Sequence, residues 1–172
     1  MIVRLGGFFM KFVAIDFETA NYDAVSACAM GLVRVEHLKI VKKEVFLLKP
    51  PMKQFVFSYL HGISWDDVKS QKNFKELWQE FRNVMDGIDF LVAHNSRFDQ
   101  KVLYALCDYY QLERPILPFE CTMKLSRKIW SIRPTKLSDV SRHFNPCFAN
   151  ALITRKSKLR GKRLKEEVLR IL

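Results

Sequence analysis

The sequence predicts an α/β fold built on a mixed five-stranded sheet, and three observations carry that prediction. Three strand-like runs follow one another directly near the start of the chain; after them helical and strand-like segments alternate; and the first strand holds two acids inside an otherwise apolar run. Strands first and alternation afterwards call for both antiparallel and parallel neighbours in one sheet.

The first run is Phe12-Val13-Ala14-Ile15-Asp16-Phe17-Glu18-Thr19. Residues two apart in a strand share a face, so Asp16 and Glu18 project side by side while Ile15 and Phe17 project the other way. The neighbouring Val13, Ala14 and Ile15 read as a strand buried on both faces. Two adjacent carboxylates in such a setting repel each other and lose hydration, and a divalent metal removes both costs. An edge strand with its acids in water is the simpler alternative.

Asn21 to Ala27 is a polar loop, Ala29 to Val35 the second strand, and Lys39 to Lys49 the third, ended by Pro50-Pro51. A loop through His61-Gly62-Ile63 leads to Ser64, an N-cap for a short helix with Asp66 and Asp67 in its first turn. Phe74, Leu77, Trp78, Phe81, Val84 and Met85 recur at helical spacing up to Gly87. Asp89 to Ala93 reads as a buried strand. His94-Asn95-Ser96 turns the chain into a helix whose core face is Phe98, Val102, Leu103 and Leu106. Phe119 to Thr122 is a weaker strand, followed by helices near Met123 to Ile129 and Lys136 to Phe144.

Asp99 falls in the first turn of the helix after the fourth strand, which leaves two readings open. With Ser96 it matches a capping box and complements the helix dipole. Alternatively, the end of a parallel neighbour brings it beside Asp16 and Glu18 to complete a metal-binding face at the strand ends.

A chain of 172 residues with 49% hydrophobic content suits one globular domain. No apolar run approaches the roughly 18 residues of a membrane span, so no membrane partner and a cytoplasmic location are expected. Cys28, Cys107, Cys121 and Cys147 are scattered, without a C-x-x-C pair, and read as reduced thiols. The net charge of +11 favours a polyanionic partner. Residues 1–10 read as an N-terminal extension, 11–150 as the domain, and 151–172 as a basic tail, helical in part. That tail has eight Lys or Arg against Glu166 and Glu167.

Four segments in register match a family. Ala14-Ile15-Asp16-Phe17-Glu18-Thr19-Ala20, His61-Gly62-Ile63, Val92-Ala93-His94-Asn95-Ser96-Arg97-Phe98-Asp99 and Cys121 to Arg127 together resemble the DnaQ-like DEDD 3′–5′ exonucleases of the DEDDh type, similar to DNA polymerase III epsilon-type proofreading exonucleases. The resemblance implies a ribonuclease H-like fold, with three antiparallel strands, then parallel ones, and helices on both faces. It also implies hydrolysis of phosphodiester bonds at nucleic-acid 3′ ends, single-stranded by preference, with two Mg²⁺ or Mn²⁺ ions, and a DNA polymerase as a partner. By the same resemblance Asp16 bridges both ions, Glu18 holds the ion that activates water, and Asp99 holds the other. Thr19, Ala20, His61, Gly62, Ile63, Asn95 and Phe98 are implied to grip the terminal nucleotide. From the residues alone, His61 is equally an ordinary loop histidine, Asn95 a turn residue and Phe98 a core residue.

The family's third motif, H-x-A-L-x-D, is where the match fails. Ala149-Asn150-Ala151-Leu152-Ile153-Thr154 stands at its place, with Ala149 at the histidine position and Thr154 at the aspartate position. His143, Asp139, Glu166 and Glu167 do not restore the spacing, and no Tyr follows Tyr110 to make the tyrosine version. The departure near Pro146 is what a frameshift, truncation or degraded copy leaves. A general base contributes roughly 10²–10⁴-fold, so the sequence predicts a weak or inactive exonuclease, with a non-catalytic nucleic-acid-binding module of the same fold as the alternative.

Overall fold

Alternation along the first strand orients the whole sheet. In the computed structural model, which describes residues 10–144, β1 (Lys11–Thr19) buries Val13, Ile15 and Phe17 on one face and leaves Ala14, Asp16 and Glu18 half-buried on the other. The strand is therefore fully buried on one face only, not on both as the apolar run suggested. Its second face carries Ala14, Asp16 and Glu18, with Phe12 stacked on Phe90 at its start.

β2 (Ala27–Glu36) and β3 (Lys39–Leu47) continue β1 as an antiparallel meander. A chain reversal then passes through two one-turn helices, α1 (Ser58–His61) and α2 (Trp65–Val68), before the long helix α3 (Phe74–Met85). The Ser64 start is as expected: the Asp67 carboxylate accepts from the Ser64 N–H at 2.8 Å and from its hydroxyl at 2.6 Å. α3 begins with a reciprocal cap, in which Asn73 Oδ1 accepts the Glu76 N–H and Glu76 returns a carboxylate oxygen to the Asn73 N–H.

β4 (Phe90–Ala93) then pairs parallel with β1, and β5 (Phe119–Cys121) pairs parallel with β4, giving the strand order β3-β2-β1-β4-β5. Between them runs α4 (Ser96–Tyr109); α5 (Thr122–Trp130) and α6 (Leu137–Phe144) follow β5. This is the expected mixed sheet, with β2 starting two residues earlier than the sequence pattern indicated.

The main core lies where α3 and α4 cover the β1 face that carries Val13, Ile15 and Phe17. Phe74, Leu77, Phe81 and Val84 of α3 meet Val102, Leu103 and Leu106 of α4 there. Phe98, grouped with that core face by its spacing, instead stands 42% exposed. A second, smaller cluster joins Cys28 and Ala29 of β2 to Ile63 and Val68 of the α1–α2 segment. Ala29 and Met30 are successive strand residues and point to opposite faces, so helical segments cover both sides of the sheet at β2.

Cys28, Cys107 and Cys121 are buried and free, as reduced thiols should be. Among the described residues no helix is long and apolar enough to cross a membrane. Residues 1–9, Cys147, the Ala149 and Thr154 positions and the basic tail lie outside the described residues.

Phe81 is fully buried and contacts Phe74 and Trp78 through its ring. Its replacement by Ala should lower the unfolding free energy by about 3–5 kcal/mol in urea titration, since the rigid sheet beneath cannot collapse into the cavity.

Candidate active site

β1 outruns its parallel neighbour. The β1–β4 register ends at Ala14 opposite Val92, while β1 continues five residues further to Thr19. Asp16 and Glu18 therefore project from a strand end that β4 no longer flanks. On the other side their partners in β2 are Gly31 and Ala29, so no large side chain stands beside either acid on that strand.

The chain leaves β4 through His94 and Asn95. Asn95 takes a left-handed conformation (φ 69°, ψ 50°), which asparagine tolerates better than most residues, and it is the N-cap of α4. This turn aims the first helical turn back over the β1 overhang. Asp99 is almost completely buried there, and its Oδ1 accepts the Phe17 backbone N–H at 3.1 Å. The capping-box reading of Ser96 and Asp99 is thus overturned: Asn95, not Ser96, is the cap, and the Asp99 carboxylate is spent on a strand 82 residues away.

Phe17 lies between Asp16 and Glu18, so this one bond brings all three carboxylates to the same edge. Their electrostatics agree. Burial pushes Asp16 up to about 6, and burial followed by the Asp16 charge pushes Glu18 up to about 7. Asp99 rises to about 8, through burial first and the charge of Asp16 second, against the lowering effect of the Phe17 hydrogen bond. None of the three forms an ion pair among the described residues. The donor chemistry and uncompensated charge fit a hard divalent cation. The set is not a closed cage, for among the described residues no three His, Cys, Asp or Glu side chains are gathered into a metal-holding group.

The residues implied to grip a nucleotide divide into buried and accessible ones. Ala20 and Ile63 are buried in the second cluster. Ala20 also gives its N–H to the Ser26 carbonyl and its carbonyl to the Val56 and Phe57 N–H groups, so its backbone is already engaged. Gly62 ends α1 with φ 76°, a conformation that a side chain would strain. Phe98 and Asn95 remain exposed at the start of α4.

His61 joins these parts. Its Nε2 lies 3.1 Å from the Thr19 carbonyl and so carries the proton, while Nδ1 accepts the Ile63 N–H at 3.1 Å. Burial lowers its pKa, in keeping with a neutral ring. His61 is a latch between the α1–α2 segment and the residue after Glu18. Sequence reasoning missed its counterpart, His94. There Nε2–H donates to the Thr135 carbonyl at 2.9 Å and Nδ1 faces the Thr122 hydroxyl at 2.9 Å, tying the end of β4 to α5 and the segment before α6. The available signal was a histidine directly after a buried strand, which alone names no partner.

Raised carboxylate pKa values fix the sign of a stability change. The folded protein retains protons that the unfolded chain, with carboxyls near 4, releases. The associated stability is full below about pH 4 and is lost as pH rises through about 6, 7 and 8. The latch histidines work oppositely but only below about 6.5. In EDTA the melting temperature should therefore fall by several degrees between pH 6.5 and 8.5, and Asp99→Asn, whose amide oxygen can still accept the Phe17 N–H, should flatten that decline.

A family model described as exonuclease (RNase_T) matches residues 13–148. No curated protein sequence matches the chain. Among solved structures, exonuclease X in complex with 5′-overhanging duplex DNA superposes with a TM-score of 0.63 at 22% identity, covering 93% of this chain and 89% of that one. The nuclease domain of 3′hExo, a DEDDh family member bound to rAMP, gives 0.66 at 16%, covering 91% and 98%. Escherichia coli exonuclease I in complex with a 5cy-dT13 oligonucleotide gives 0.67 at 14%, with 92% of this chain covering 42% of that one. The described sheet is that of the ribonuclease H-like exonuclease fold, and with the family model spanning most of its length the chain belongs to the RNase_T exonuclease family.

Proposed function

We propose that this chain is a 3′–5′ exonuclease domain that acts on nucleic-acid ends through divalent cations at Asp16, Glu18 and Asp99, with weak catalysis. The observation that carries the reading is the Asp99–Phe17 hydrogen bond, which sets a third carboxylate against the Asp16/Glu18 pair at the open end of β1. The family match and neighbours described with bound DNA or rAMP support a nucleic-acid substrate. A zinc-bound form of Escherichia coli exonuclease I with single-stranded DNA supports a metal-dependent reaction.

A divalent cation bound there would neutralise the three carboxylates and polarise a phosphoryl oxygen. The chain itself supplies the rest of the site. Asp16 and Glu18 present hard oxygen donors from a rigid strand, and Asp99 completes them from the first turn of α4. Exposed Phe98 offers an aromatic face at the edge of the same turn, suited to a terminal base. His61 holds the loop beside Glu18 as a neutral, doubly hydrogen-bonded ring, and so is not a free base for the attacking water. Ala149 and Thr154 supply neither the histidine nor the fourth carboxylate of the third motif. Weak turnover follows from both losses.

The test is release of mononucleotides from single-stranded DNA with Mn²⁺. Wild-type protein should show slow release that Asp16→Asn abolishes, and the double change Ala149→His with Thr154→Asp should raise the rate by roughly 10²–10⁴-fold. Binding of DNA without release, by both wild type and the double variant, would replace the enzyme reading with a binding module. The metal can be followed separately. At pH 8, Mn²⁺ should raise the melting temperature of the wild type, because it binds the folded state, and leave that of Asp16→Asn nearly unchanged.

A further inference from the structure

A cavity opens at the β4–α4 turn, where His94 and Asn95 meet α5 and the segment before α6. It measures about 520 Å³, within the size range of ligand-binding clefts, and its lining includes His94, Asn95, Arg127, Arg133, Thr135 and Lys136. Three of those six are permanent cations, contributed by α5 and the segment leading into α6. No described carboxylate forms an ion pair with any of the three. The nearby acid of α6, Asp139, is engaged by Arg142 at 3.3 Å.

The cavity is held open by a hydrogen-bonded frame. Arg127 donates through Nε and a terminal nitrogen to the Thr135 hydroxyl, at 3.0 and 2.7 Å. The Thr135 carbonyl accepts from His94 Nε2–H, so the arginine is anchored through the threonine to the end of β4. A guanidinium held in this way loses little further freedom on binding an anion. Arg133 and Lys136, both exposed, flank it without such anchoring. Neutral His94 adds no charge but fixes the frame.

Asn95 belongs both to this cavity and to the turn that begins α4. Asp99 lies four residues along the helix, about 6 Å of axial rise, so the turn that lines the cavity leads directly into the helical turn that supplies the third carboxylate. We infer that the Arg127–Arg133–Lys136 cavity binds a backbone phosphate of the nucleic-acid strand whose 3′ end occupies the carboxylate edge. The assignment rests on the exonuclease reading for its ligand. It adds a site where the strand is gripped away from the bond to be cut, through charge and without base recognition.

The test uses the full 172-residue chain and the double variant Arg133→Ala/Lys136→Ala, which leaves the anchored Arg127 frame intact. Fluorescence anisotropy with a phosphorothioate-linked dT12 in Mn²⁺ should show binding about tenfold weaker in the variant at low salt. The slope of log affinity against log salt should be shallower by about 0.7, the value for one single-strand phosphate. Affinity for dTMP, which reaches only the carboxylate edge, should be unchanged. An unaltered dT12 affinity and slope in the variant, with dTMP bound by both proteins, overturns the cavity assignment and leaves the exonuclease reading standing. If wild type binds neither dT12 nor dTMP, both readings fail. If inorganic phosphate then raises the melting temperature of the wild type but not of the variant, the cavity is a free-phosphate site, and the assignment to a nucleic-acid strand is likewise overturned.

Discussion

The hydrogen bond from the Phe17 N–H to Asp99 governs the architecture of the candidate site. β1 runs past the end of β4, so its last backbone groups on that side have no strand to pair with. A buried N–H without a partner costs about 1–3 kcal/mol, and Asp99 supplies the partner from α4. The same bond has an electrostatic consequence, since the partner is a carboxylate and the strand it meets already carries two. A neutral acceptor would satisfy Phe17 equally well without repulsion. The choice of an acid, its pKa raised first by burial and then by Asp16, puts local stability and charge in conflict, which is the condition in which a bound cation gains most.

Two neutral histidines hold the surroundings in register with that edge. His61 closes the α1–α2 segment onto Thr19, and His94 closes the α5–α6 connection onto the end of β4. In each ring Nε2–H meets a backbone carbonyl, and in each burial lowers the pKa. The two latches stand on either side of the β1–β4 overhang. The carboxylates thus lie between short polar clasps rather than inside the main hydrophobic core, which lies on the α3–α4 side of β1.

Much of this could be read from residue order. The meander, the α3 periodicity and the short strand before α4 follow from local patterns with periods of 2 and 3.6, and those patterns survive folding because they are what the core buries. Asp16 and Glu18 were recognisable because acids in an apolar strand need compensation. The core reading of Phe98 failed: its spacing matches the core face, but in the first helical turn Ser96 and Asp99 take the buried side and leave Phe98 outside. Asp99 was ambiguous for a related reason. A first-turn acid looks the same in sequence whether it caps its own helix or reaches a distant strand. Ala20 and Ile63 show the reverse, since the resemblance implied a substrate grip for them while their side chains serve packing.

By itself, the sequence determined the order and type of the elements and the pairing of two carboxylates on one strand face, and by resemblance it set Ala149 and Thr154 at the positions where the family's third motif has a histidine and an aspartate. Those are properties of neighbours along the chain. The tertiary structure alone decided that Asp99 turns to Phe17, that His94 reaches Thr135 and that three cations from α5 and its following segment open toward Asn95. Each of these joins residues from separate elements, and only the packing of α4 and α5 against the parallel strands sets their distance.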